Sequence, residues 1–117
     1  MGAGIYNIVK AKITTEDLGT FKTQANKMKE ATKDEPGTLI YDFFINEEKR
    51  EVLIVEKYAN SEAFMVHMKR FIQPEYIPTI LTMQEITSVE MPGKITKEME
   101  QFFAEGGWSY NAYPLNV

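Results

Sequence analysis

The chain has 117 residues, 44% hydrophobic and 26% charged, with no cysteine, one histidine and a formal net charge of −4. That is enough chain for one domain with one core. It leaves no disulfide framework, thiol nucleophile or thiolate metal site, and few ways to build a multi-histidine one. The acidic balance argues against a nucleic-acid partner, which needs a basic face. No apolar run approaches the roughly 20 residues that span a bilayer. The N-terminus also lacks the basic flank and long apolar core of a secretory signal, so the expected location is cytoplasmic.

Ile5 to Ile13 alternates as a first strand, with Ile5, Asn7, Val9, Ala11 and Ile13 on one face. Thr14 or Thr15 is the expected cap of a first helix, with Glu16 and Asp17 in its opening turn. Leu18, Phe21, Ala25 and Met28 then recur at helical spacing. Pro36-Gly37 ends that helix, because proline cannot continue the ladder and glycine accepts turn dihedrals.

Thr38 to Ile45 reads as a second strand, Asn46 to Arg50 as a polar hairpin, and Val52 to Val55 as the returning strand. The second strand is apolar on both faces. Leu39, Tyr41, Phe43 and Ile45 line one side, and Ile40 and Phe44 the other, with Asp42 between them. Val52 and Ile54 oppose Leu53 and Val55 in the third. A sheet apolar on both faces needs a cover on each, and the helices suffice for one. The expected second cover is another copy of the chain, making a homodimer.

Asn60 or Ser61 can cap a second helix running to about Ile72, whose inward stripe is Phe64, His67, Met68 and Phe71. A short helix is expected near Pro78. Gln84 to Met91 is the fourth strand, ended by Pro92-Gly93. The order β-α-β-β-α-β is the split ferredoxin-like arrangement of an α+β domain over residues 1–95. Residues 96–117 add a helix capped by Thr96, stopped by Gly106-Gly107, and an aromatic tail expected to be irregular. That tail carries Trp108, Tyr110 and Tyr113, and aromatics this dense must pack on something.

The turn Glu35-Pro36-Gly37-Thr38, Glu56 ending the third strand, and Ala63-Phe64 followed by His67 resemble the antibiotic biosynthesis monooxygenase-like family of the dimeric α+β barrel superfamily. The resemblance covers residues 5 to about 91. It implies a ferredoxin-like sheet paired in a dimer. Members include quinol and anthrone-type oxygenases that use no metal or flavin, haem-degrading enzymes and isomerase-like proteins, so the fold alone does not choose a reaction. His67 matches a second-helix His of many members, though the second His that often follows is absent here. Haem-degrading members pair a first-strand Asn and a second-helix Trp with a later iron-ligating His. This chain has Asn7, but His67 stands where that Trp would be and no later His follows.

These residues give a candidate site. As a general base, His67 would take a phenolic or activated C–H proton and leave an electron-rich anion to meet dioxygen. The structural alternative is a semi-buried His bonded to a carboxylate or carbonyl, with Glu56 one candidate partner. Asn7, polar on an apolar face, would position a substrate oxygen or oxyanion, or be satisfied by neighbouring backbone. Tyr41, Phe64 and Met68, with Phe43, Phe71 and Met83 nearby, would line a flat pocket for an aromatic ligand or make plain core. The tail with Trp108 would close over it or over the partner's, or serve only as a strut that stabilises the dimer. The expected function is a cofactor-independent monooxygenase, or a related isomerase, acting on a small aromatic or quinol-like compound, with no metal and with added flavin or haem left open. The alternative is a non-catalytic dimeric small-molecule-binding or stress-response protein.

Overall fold

The computed structural model describes residues 4–117. Nine elements follow in order: β1 (Ile5–Ile13), α1 (Leu18–Thr32), β2 (Thr38–Asn46), β3 (Glu51–Tyr58), α2 (Ser61–Phe71), α3 (Ile77–Ile80), β4 (Gln84–Pro92), α4 (Lys97–Gly106) and β5 (Asn111–Tyr113). The sheet order is β2-β3-β1-β4-β5, with every pairing antiparallel except the parallel β4-β5. The fold is α+β and ferredoxin-like, as the alternation of strands and amphipathic helices predicted.

β1 lies in the middle of the sheet, and its odd-numbered row Ile5, Asn7, Val9, Ala11 and Ile13 is buried throughout. Across it, Val52, Ile54, Glu56 and Tyr58 of β3 turn the same way. The helices cover this face. Phe21 and Met28 of α1 and Phe71 of α2 pack in one cluster with Val9, Tyr41 and Ile54. Phe64 and Met68 of α2 join Met99 and Phe103 of α4 on Ile5, Tyr58 and Met91 in another. Burying each large apolar side chain contributes roughly 1.5–3 kcal/mol, so these rows account for much of the driving force.

Three local expectations are corrected. Helix α1 is capped by Asp17, whose carboxylate accepts from Gly19 N–H, and not by Thr14 or Thr15. The amides of those two threonines bond Met83 O instead, which holds the chain extended beside β4 and delays the helix. Leu39 leaves the inward row of β2 and is 55% exposed, because the pairing with β3 shifts register between Thr38 and Ile40. The tail is not wholly irregular: Asn111–Tyr113 extends the sheet along β4, with Gly93 N–H bonded to Tyr113 O.

Asn60 caps α2 by accepting from Ala63 N–H, and Thr96 caps α4 by accepting from Met99 N–H. Gly107, in the left-handed region at φ 69°, ends α4. The outer face of the sheet carries Ile40, Phe44 and Leu53, all exposed, with Phe44 and Leu53 directly opposite each other across β2-β3. Asp42 on that face pairs with Lys29 of α1 at 3.2 Å. Among the described residues, no helix is long and apolar enough to cross a membrane.

Candidate functional site

A pocket of about 400 Å³ opens between the sheet, the α2–α3 region and the tail. Asn7 and Val9 of β1 and Val89 of β4 form its sheet side. Met68 of α2, Ile77 of α3 and Leu81 form the helix side, and Phe103 with the segment from Gly106 to Tyr110 closes the third. That segment folds back because Gly106 has no side chain: a Cβ there would sit 2.6 Å from the Trp108 indole nitrogen. Trp108 then packs on Phe102 and Tyr110 on Phe103, at ring separations of 5.9 and 4.5 Å.

The walls are mostly apolar, and Asn7 is the polar group supplied by the sheet. It is 9% exposed. Its Nδ2 donates to Glu56 Oε1 at 3.2 Å, while its Oδ1 has no hydrogen-bond partner. Glu56 is the direct cross-strand neighbour of Asn7 on one side and of Tyr41 on the other. The Tyr58 hydroxyl donates to the same Glu56 oxygen. Burial pushes the Glu56 carboxyl above its ordinary range; the His67 charge and the bonds from Tyr58 and Asn7 offset only part of that. Burial also raises the Tyr41 and Tyr58 hydroxyls well above the usual phenol range, reinforced by the Glu56 charge.

Beside this group lies a second buried cluster. Glu35 Oε1 accepts from His67 Nδ1–H at 2.8 Å and from the Thr38 hydroxyl at 2.7 Å, and the Arg70 guanidinium bonds Oε2. Burial works to raise the Glu35 carboxyl, but the hydrogen bonds from His67 and Thr38 and the charges of His67 and Arg70 outweigh it and hold it below its ordinary value. His67 is 2% exposed and sits among Phe71, Tyr58 and Tyr41, at ring separations of 4.1, 5.1 and 5.2 Å.

Of the residues singled out in the sequence, Asn7, Met68 and Trp108 line the pocket. His67, Tyr41 and Phe64 lie outside its lining. Phe64 stands behind Phe103 at 5.7 Å, and Tyr41 packs on His67 and Phe71. One residue along an α-helix is a turn of about 100°, so Met68 faces the pocket while His67 faces the Glu35 cluster. The carboxylate partner of His67 is Glu35 and not Glu56. Sequence reasoning did not join Asn7 to Glu56. The available signal was a charge on the inward row of β3, at even spacing with Val52 and Ile54. Among the described residues, no three His, Asp or Glu side chains converge as metal ligands.

Residues 4–76 match the profile described as antibiotic biosynthesis monooxygenase. The chain belongs to the antibiotic biosynthesis monooxygenase family. Solved structures share its fold. MupZ from Pseudomonas fluorescens superposes with a TM-score of 0.80 at 18% identity, over 97% of this chain and 91% of that one. A conserved Bacteroides thetaiotaomicron protein, described as a possible oxidoreductase, gives 0.67 at 20% identity, over 78% and 97%. A Nitrosomonas europaea protein provisionally named antibiotic biosynthesis monooxygenase gives 0.60 at 19%, over 72% and 82%. No curated protein matches the chain in sequence. The family profile ends at residue 76, so β4, α4 and the tail that walls the pocket lie beyond it.

Proposed function

We propose that the protein is a cofactor-independent monooxygenase acting on a small, electron-rich aromatic compound bound in the pocket beside Asn7. The observation that carries this reading is the Asn7 side-chain amide in the lining of an otherwise mostly apolar pocket, in a member of a monooxygenase family. The cavity has room for a two- or three-ring aromatic. An anthrone-type substrate balances the chemistry without an external reductant. Its ring CH2 becomes C=O, taking one oxygen atom from O2. The second oxygen leaves as water with the two hydrogens of that carbon, and the substrate supplies all four electrons. The Asn7 amide, whose Nδ2 keeps a second N–H after its bond to Glu56, would hold the substrate oxygen, and stabilising enolate charge there favours the electron-rich ring that meets O2.

In this reading Asn7, Met68 and Trp108 touch the ligand. His67, bonded to Glu35 and outside the pocket lining, acts from behind by holding the Glu35 carboxylate in place. Phe64 and Tyr41 support Phe103 and His67 respectively. The working unit is a homodimer that covers Phe44, Leu53 and Ile40 on the outer sheet face, and no metal, flavin or haem takes part.

A second reading is favoured by one observation. Tyr110 is the one titratable side chain among the described residues lining the pocket. A pocket so short of acid–base groups suits a dimeric small-molecule-binding or stress-response protein without turnover. Oxygen uptake separates the two. With a panel of anthrones and hydroquinones and no added metal or flavin, an oxygenase consumes one O2 per anthrone above the spontaneous rate, and Asn7→Ala loses most of that activity. Binding with uptake at the spontaneous rate for every compound leaves the second reading.

A further inference from the structure

Two adjacent glycines end α4, and they are glycine for different reasons. Gly107 stands in the left-handed region at φ 69°, with open space where a Cβ would point, so its backbone alone calls for glycine. Gly106 is the last helical residue and lies outside that region, where alanine suits the backbone better than glycine. What excludes a side chain there is Trp108. An added Cβ would meet the indole nitrogen at 2.6 Å and Cδ1 at 2.7 Å. Ordinary carbon contacts lie at roughly 3.5–4.0 Å, so the ring would have to move by about 1 Å. The Trp108 backbone is tied on both sides: its N–H bonds Phe103 O at 2.9 Å, and β5 pairs with β4 from Asn111 onward. Both Gly106 and the indole lie in the pocket wall, so the shape of that wall depends on where the ring rests.

Resting on the pocket reading above, we propose that Gly106 is a positioning residue that seats the Trp108 indole, and that the seated ring limits how many fused rings the pocket accepts. An extra ring on the ligand either fits beside the indole or collides with it. Moving the wall by about 1 Å therefore alters the choice between ligands of different size, because a packed apolar site does not absorb added volume freely. A single methylene in such a pocket already discriminates by roughly tenfold or more. Trp108 is the side chain that sets specificity, and Gly106 acts only through it.

Trp108 is the single tryptophan of the chain, so intrinsic fluorescence reads the seat without any ligand. Gly106→Ala should shift the emission maximum of the whole protein, and an unchanged spectrum overturns the proposal. Anaerobic equilibrium dialysis with 2-naphthol and 2-hydroxyanthracene, which share a hydroxyl and differ by one fused ring, reads the selectivity. Gly106→Ala should change the ratio of the two affinities by about tenfold. Trp108→Ala, which removes the ring, should move the ratio toward the three-ring compound. Adding Gly106→Ala to that variant should then change the ratio by less than about twofold. A merely structural Gly106 would weaken both ligands together and leave the ratio intact. That result overturns the proposal, as does a ratio change from Gly106→Ala that persists without Trp108. If Gly106→Ala alone fails to fold, the double variant should recover a cooperative melting curve, because the colliding ring is gone, and no recovery overturns the seat. Oxygen uptake does not enter these measurements. Selectivity that follows Gly106 without turnover defeats the oxygenase reading alone, and turnover with a ratio indifferent to Gly106 defeats the seat alone. Binding of neither compound by the wild type overturns both.

Discussion

Gly37 lies directly against Ala63: a Cβ added at Gly37 would sit 2.5 Å from the Ala63 Cβ. The turn before β2 and the first turn of α2 therefore touch through their two smallest side chains. Two residues before Gly37 stands Glu35, and four after Ala63 stands His67, joined at 2.8 Å. Close approach at the first pair brings the second into hydrogen-bonding range. Gly37→Ala should force the turn from α2 and cost about 1–3 kcal/mol, the usual scale of overpacking. Urea denaturation measures that loss, and an unchanged midpoint would mean that the turn gives way freely.

The Glu35 cluster should be costly to open from within. His67→Ala removes a bonded ring from between Phe71, Tyr58 and Tyr41 and should destabilise by about 3 kcal/mol, through the cavity and the weakened partner of a buried carboxylate. Because His67 does not line the pocket, the variant assayed well below its melting temperature should keep ligand affinity within a few-fold. A loss of turnover beyond about 100-fold with a normal melting curve would instead make His67 the general base.

The two buried carboxylates should affect stability with opposite pH dependence. The folded Glu56 value is raised above 4.5. Its contribution is therefore whole below that pH and is lost as pH rises through the folded value, so wild type should lose ground to Glu56→Gln as pH rises above 4.5. The folded Glu35 value is lowered below 4.5. Its contribution is present above that pH and lost as pH falls through the folded value, so wild type should lose its advantage over Glu35→Gln on acidification. Denaturation curves over a pH series test both signs. Differences that run parallel in the two variants would remove the distinction.

Phe44, 59% exposed and opposite Leu53, should lie at the centre of the proposed dimer contact. Phe44→Asp puts an unpaired carboxylate there and should shift the protein toward monomer by at least about tenfold in dissociation constant. Sedimentation velocity reads the change. Wild type sedimenting as a 13.5 kDa monomer at micromolar concentration would end the dimer proposal.

Removing residues 106–117 takes away Trp108 and Tyr110 from the pocket wall, and β5 with the bonds from Asn111 and Tyr113 to Glu90. If the tail closes the pocket, truncation should weaken aromatic ligands about tenfold or more and spare assembly. If it is a strut, melting temperature and dimer affinity should fall instead. Neither change would make the tail dispensable to both.

Periodicity alone carries the order of elements. A strand shows its buried row at every second residue, as Ile5 to Ile13 does, and a helix at every third or fourth, as Phe64 to Phe71 does. Caps at Asn60 and Thr96 and the stop at Gly107 are equally local, since each depends on residues within one turn. The start of α1 was not, because the Thr14 and Thr15 amides are claimed by Met83, nearly seventy residues away in the chain. The same holds for the site. Sequence spacing marked Asn7, His67 and Met68 as inward-facing, but facing inward does not say which neighbour is met. Only the β1-β3 register joins Asn7 to Glu56, only the Gly37–Ala63 contact gives His67 to Glu35, and only the fold-back at Gly106 carries Trp108 to the pocket. Those are long-range pairings fixed by packing, and a one-dimensional pattern does not contain them.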